Sequence, residues 1–294
     1  MKYSIIIFVL SLVLFTACEK TISITPPQYD SRISIQCMLT PDSLPKLYLG
    51  KSVPYFDYAV LPKDLFLADG FVTISSVNGI DTLRPDSLFN DFTCRLDYFY
   101  VGKIRTKQNV KYDLKVVVKG QTFVAVTTTN QSKAQLESVG YTKAFNDIYG
   151  EHEGVILNIK DIPNEENYYR YTMTRSIDSS TYDNLGRNSK CSNGRFFTVV
   201  EIGRTAFDDT SQDGQALVFT IEPAFKHKQG DKGIIRVQTL DRNAAAFFNL
   251  IDKQKLAQSN PFVEPVFLKT QIEGCIGIFG SYNVSDSKNF EYPE

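Results

Sequence analysis

Only two histidines occur in the 294 residues, His152 and His227. Their surroundings, GEHEG and FKHKQG, are polar and turn-like, and neither stands in a His-Glu-x-x-His helix or another zinc spacing. Histidine-based metal chemistry has no footing here, and both are expected to be solvated loop residues. Serines are common, but none sits in a G-x-S-x-G elbow, which removes the hydrolase triad built on that turn. Carboxylate pairs for glycoside hydrolysis leave no local mark, and nothing in the sequence points to one. Charge of a single sign is missing too. Lys and Arg number 32 against 33 Asp and Glu, so the basic footprint that nucleic acid requires is absent. Tryptophan does not occur, whereas there are 16 Tyr and 21 Phe, and aromatic enrichment of this kind favours strands. No internal repeat or low-complexity tract stands out.

What is present begins with Met1-Lys2-Tyr3 and the uncharged run SIIIFVLSLVLFTA. A positive start, a short apolar stretch and small residues at its end describe a secretory signal peptide over residues 1–17. From Ile5 to Ala17 the run is too short to span a bilayer, which takes about 20 apolar residues, and no later stretch reaches that length. Phe15-Thr16-Ala17-Cys18 resembles the bacterial lipobox, in which the peptide is cut before the cysteine and the cysteine is acylated. Cys18 is therefore the expected lipidation site, and the lipid the expected membrane attachment. Residues 18–30, including TPPQYD, read as the anchor and its linker.

The mature length suits two domains under the soft rule of about 150 residues each. In SRISIQCML, Ile33, Ile35, Cys37 and Leu39 fall on one face at period two. FVTISSVNGIDTL reads as a hairpin with a type I′ turn at Asn78-Gly79. Phe92, Cys94, Leu96, Tyr98 and Tyr100 alternate along another strand, and KYDLKVVVKGQTFVAVTTT is a second hairpin turning at Lys119-Gly120. Several short strands at regular spacing predict an immunoglobulin-like β-sandwich over residues 31–131. A second β-rich domain, 132–294, is expected from EGVILNIKDIP, NYYRYTMTRS, RFFTVVEIG, QALVFTIEP and GIIRVQTL. It carries one helix near 241–258, where Ala244, Phe247, Phe248 and Ile251 form an apolar stripe, Asp241 is the N-cap and Pro261 the stop. The expected fold class is thus mainly β with one packed helix.

The tail NPFVEPVFLKTQIEGCIGIFGSYN carries a resemblance. It is similar to the C-terminal signature of a family of Bacteroidota lipoproteins, domain of unknown function 4249. Asn260-Pro261-Phe262, Pro265 and the glycine-rich end from Ile272 to Gly280 match that signature, with Cys275 where the family has a second glycine. The lipobox, ADGFVTISSVNG, KYDLKVVVKGQTFVAVT, NYYRYTM and FDDTSQDG match more loosely, in the same order. The resemblance implies an outer-membrane lipoprotein without catalytic residues or cofactor, acting beside a TonB-dependent receptor in uptake. Gly274, Gly277 and Gly280 are not a dinucleotide fingerprint, because the helix precedes them rather than following a strand–glycine turn. They read as a bulge or close backbone approach.

Two further patterns bear on chemistry. Asp209-Thr210-Ser211-Gln212-Asp213-Gly214 has the opening half of a calcium loop, with Asp209, Ser211 and Asp213 at alternate positions, but Thr220 stands where the closing bidentate acid belongs. A hydrogen-bonded surface turn is the expectation, with no bound metal. After Cys18, four cysteines remain, and export permits disulfides in any of three pairings. Cys37 with Cys94 is spaced like an inter-sheet immunoglobulin pair, and Cys191 with Cys275 would clasp the second domain; buried free thiols are equally ordinary. The functional expectation is a non-catalytic binding or accessory module at the outer membrane. The alternative is a structural or adhesive surface protein, and an enzyme comes third.

Overall fold

Alternation of apolar and polar side chains carries most of the chain into strands. The structure is a computed structural model that describes residues 29–53, 61–147, 150–178, 196–203, 206–210, 212–259 and 269–293. Among the described residues the architecture is mainly β with one long helix.

The first half builds β1 (Ile33–Leu39), β2 (Lys46–Lys51), β3 (Phe71–Ser76), β4 (Gly79–Asn90), β5 (Arg95–Val101), β6 (Lys111–Val118) and β7 (Gln121–Thr128). Ile33, Ile35, Cys37 and Leu39 of β1 and Tyr112, Leu114, Val116 and Val118 of β6 point into one core, as their period-two spacing predicts. β3 and β4 form the expected hairpin, but Val77 and Asn78 make its loop and Gly79 lies at φ 119°. The positive-φ pair of a type I′ turn occurs instead at Lys119 (φ 48°) and Gly120 (φ 72°), between β6 and β7. β5 starts only at Arg95, so Phe92 and Cys94 belong to the preceding turn, where Cys94 takes a φ of 56°. β4 turns a corner: its residues up to Leu83 pair with β3, and those from Arg84 onward pair with β5.

The second half adds β8 (Gln135–Asp147), β9 (Gly150–Lys160), β10 (Tyr168–Asp178), β11 (Phe196–Ile202), β12 (Phe207–Asp208), β13 (Ala216–Ile221), β14 (Lys232–Leu240), the helix α1 (Arg242–Ser259), β15 (Ile276–Val284) and β16 (Lys288–Glu291). A three-stranded sheet, β13-β9-β8, faces β10 and β14 across a second core containing Val155, Leu157, Tyr169, Met173, Ile235 and Val237. Helix α1 covers the other face of that sheet through Ala244, Ala245 and Phe248, against Leu240 and Tyr168. Asp241 is its N-cap as expected, accepting the Ala244 N–H at 2.8 Å; Pro261 lies outside the described residues.

There are two main cores, one of residues 33–123 joined by Ile272, Cys275 and Phe279 and one of residues 134–292, and the backbone runs across the expected 131/132 boundary. β15 pairs in parallel with β1 through residues 276–281, from Ser34 opposite Ile276 to Leu39 opposite Ser281. Its last three residues then pair with β14, Tyr282 opposite Leu240. One 13-stranded sheet therefore runs through both halves, and Ser31–Glu294 forms a single compact unit. A parallel pair needs a long crossover, and here almost the whole folded chain lies between the partners. Residues 132–294 are thus not a domain complete in themselves: Ile272, Cys275 and Phe279 are buried in the first core.

Candidate functional site

The glycine tail is built for close approach. A Cβ on Gly277 would lie 2.8 Å from the carbonyl carbon of Ile35 and nearer still to its oxygen, because the two residues face each other across the β1–β15 pair. On Gly280 it would meet the Asp241 carboxylate at 2.9 Å and Ala244 Cβ at 3.1 Å, so this glycine admits the start of α1. Gly274 takes a left-handed φ of 81° in the turn before β15. The Asp241 carboxylate, besides capping the helix, accepts the Ser281 N–H and lies 3.4 Å from the Thr127 hydroxyl of β7. Helix, tail strand and first core thus meet at one carboxylate. The sequence marked Asp241 only as a cap, since nothing local signals its other two partners.

The acidic turn acquires a member that its sequence spacing did not reveal. Asp161, at the end of β9, joins Asp209 and Asp213, and one oxygen of each lies within 4.8 Å of the others. Ser211 lies outside the described residues. Asp161 and Asp209 are buried, and each carboxylate is already engaged. Asp161 accepts the Tyr169 hydroxyl at 2.5 Å and the Gly214 N–H at 2.7 Å. Asp209 accepts the Asn167 backbone N–H at 3.1 Å, and Asp213 that of Asn164 at 2.9 Å. Burial and the bond to Asp161 push the Tyr169 hydroxyl far above the usual phenol range. Burial also raises Asp209, opposed by the Asn167 N–H and assisted by the nearby Asp161 charge. A calcium ion wants six to eight oxygens, whereas these oxygens tie two loops to β10, so we read the cluster as a staple.

That reading has a pH sign. A carboxyl with a raised folded pKa costs stability where it is ionised, and the cost fades as pH falls through that pKa. Asp209→Asn keeps an acceptor for Asn167, so it is expected to raise the melting temperature at about pH 7 and to lose that advantage by about pH 4. Calcium or chelator should leave the wild-type melting temperature unmoved. A calcium-dependent rise that disappears in Asp213→Ala would establish an ion site instead, because a ligand bound only to the native state stabilises it.

The cysteines depart from both expected pairings. Cys37 and Cys275 are free and buried in the first core, while Cys94 is disulfide-bonded. Neither Cys37–Cys94 nor Cys191–Cys275 therefore forms. Of the pair spaced like an immunoglobulin disulfide, Cys37 points inward in the β1 core row, whereas Cys94 sits in a turn. Burial pushes the Cys275 thiol up to about 11, opposed by Arg32, and it does the same more strongly to Cys37. These are packing thiols rather than nucleophiles. Cys18 and Cys191 lie outside the described residues.

The histidines are not free loop residues either. His227 stacks on Tyr292 at a ring separation of 3.8 Å, with Nε2 3.3 Å from Glu153. Glu153 also accepts the Tyr141 hydroxyl at 2.5 Å. His152 lies on β9 with Nδ1 3.6 Å from Glu222. Beneath Tyr292, Arg175 of β10 and Glu201 of β11 form a fully buried ion pair, with the guanidinium Nε donating to Glu201 at 2.6 Å. Periodicity could not expose this pair, because both residues occupy inward positions where an apolar side chain is the rule.

Fold and site together define a mainly β chain whose two cores share one C-terminal strand. The family model described as domain of unknown function (DUF4249) matches residues 19–288, and the chain belongs to that family. No curated protein matches it.

Proposed function

We propose that the chain is a non-catalytic lipoprotein of the outer membrane, of the kind found in Bacteroidota, held by acyl chains on Cys18. It acts as a binding or accessory component beside a TonB-dependent transporter in nutrient uptake. The observation that carries the reading is Phe15-Thr16-Ala17-Cys18 placed at the end of an apolar leader and upstream of the compact unit that begins at Ser31. Each buried methylene adds about 0.8 kcal/mol of membrane affinity, so two or three acyl chains hold firmly where one is marginal. Family membership supports the reading, and so does the engagement of the buried carboxylates and thiols, and of the half-buried His227, in packing and hydrogen bonds.

Cys18→Ser tests the anchor. The variant is expected to appear in the soluble fraction or to accumulate unprocessed, as read by fractionation and intact mass. Normal maturation with retention in the membrane would refute lipidation at Cys18.

A further inference from the structure

At the seam between the two cores lies a cavity of about 460 Å³, inside the roughly 300–1,000 Å³ range of small-molecule sites. The end of β14 and the start of α1 form one side, through Thr239 and Arg242. The loop entering β10, with Glu165, Glu166 and Asn167, forms another, and Asn130 of the inter-core segment closes the third. We propose that this cavity binds a neutral polyhydroxylated molecule of mono- or disaccharide size.

The strongest pointer is Thr239. It is 1 % exposed, lines the cavity, and its hydroxyl has no hydrogen-bond partner among the described residues. Its neighbour on β15 is Asn283, whose side-chain amide donates to the Gln131 carbonyl at 3.0 Å, so both stand on the face that the inter-core segment covers. A buried hydroxyl left unsatisfied is unfavourable, and a ligand hydroxyl would satisfy it both as donor and as acceptor.

The rest of the lining selects the same chemistry. Glu165 accepts the Ser132 hydroxyl at 2.9 Å through one oxygen, and Glu166 binds Tyr168 and Arg242 through one oxygen, leaving the second oxygen of each carboxylate without a partner among the described residues. Asn167 spends its amide nitrogen on the Ile162 and Glu165 carbonyls and the Asp209 carboxylate, and its side-chain oxygen has no partner among the described residues. Asn130 is the reverse: its oxygen takes Gln131, and its amide nitrogen is open. The lining therefore offers both donors and acceptors, which suits hydroxyl groups, each of which is both. Tyr168 supplies an aromatic surface. An anion would face Glu165, Glu166 and Asp241 with only Arg242 in its favour, and these carboxylates are not gathered at metal-ligand distance. An apolar ligand would find little beyond Leu240 and Tyr168.

The proposal is independent of the anchor, and its test does not read membrane attachment. The full mature chain in detergent is titrated with glucose, galactose, mannose, maltose and lactose, and binding is followed by saturation-transfer NMR and calorimetry. At least one sugar is expected to bind in the millimolar range or tighter, and Thr239→Val to weaken it about tenfold, the value of one hydrogen bond. Without sugar, Thr239→Val should melt at the wild-type temperature or above, since it removes an unsatisfied hydroxyl. If that variant fails to fold, Glu166→Gln at the exposed rim provides the same comparison. The proposal is overturned if no sugar of the panel binds, if binding survives both variants unchanged, or if glycine or lysine binds where the sugars do not.

Discussion

A valine at Gly277 is expected to abolish the folded state, or to lower its stability by about 4 kcal/mol or more, well beyond an ordinary point substitution. The usual overpacking cost, about 1–3 kcal/mol, applies where neighbouring side chains can shift. Here the obstacle is the Ile35 backbone, fixed in the parallel pair with β15. Moving it would break the pairing that inserts the tail into the first core, releasing Ile272, Cys275 and Phe279 with it. Gly277→Ala should already be severe. Gly140 provides the control: a Cβ there comes no nearer than 3.9 Å to Ile156, so Gly140→Ala should be close to neutral. Urea and thermal unfolding of the three variants make the comparison. Wild-type stability in Gly277→Val would contradict the described register.

The buried ion pair should give the second large effect. Arg175 and Glu201 are fully buried side chains, and Glu201 further accepts the Ala224 N–H at 2.8 Å while Arg175 donates to the Phe225 carbonyl at 2.8 Å. Removing one charge strands the other, which costs about 3–5 kcal/mol, whereas replacing both by apolar groups of similar volume is often neutral. Glu201→Leu and Arg175→Met are accordingly expected to be strongly destabilising singly. The double variant Arg175→Met/Glu201→Leu should be less destabilised than the sum of the singles, giving a coupling of at least about 1 kcal/mol in a double-mutant cycle. Strict additivity would mean that the two side chains do not depend on each other.

The legible parts of this fold are those written locally. The inward rows of β1 and β6, the helix with its Asp241 cap, and the glycine tail as a place of close approach all follow from residues a few positions apart. What escaped the sequence joins distant residues. Nothing near Gly277 names Ile35 as the backbone it must admit, and nothing in the DTSQDG turn points to Asp161, just beyond the end of β9. The first hairpin loop lies at Val77-Asn78, one residue before the Asn-Gly dipeptide, because strand register decides which residues form the loop. Cysteine spacing proved a poor guide for the same reason, since Cys94 lies just before β5 and not in its inward row. The seam cavity has the least sequence signal, for its lining comes from three separated segments of ordinary polar residues.

The functional account is tested most directly by isolating the full-length protein, tagged at its C-terminus, from detergent-solubilised outer membranes after mild crosslinking, with the bound proteins identified by mass spectrometry. The account predicts a stoichiometric TonB-dependent β-barrel receptor, crosslinked to residues of the compact unit and lost when Cys18→Ser prevents anchoring. Recovery of the anchored protein without any such receptor would contradict an accessory role in uptake and leave the structural or adhesive reading in its place.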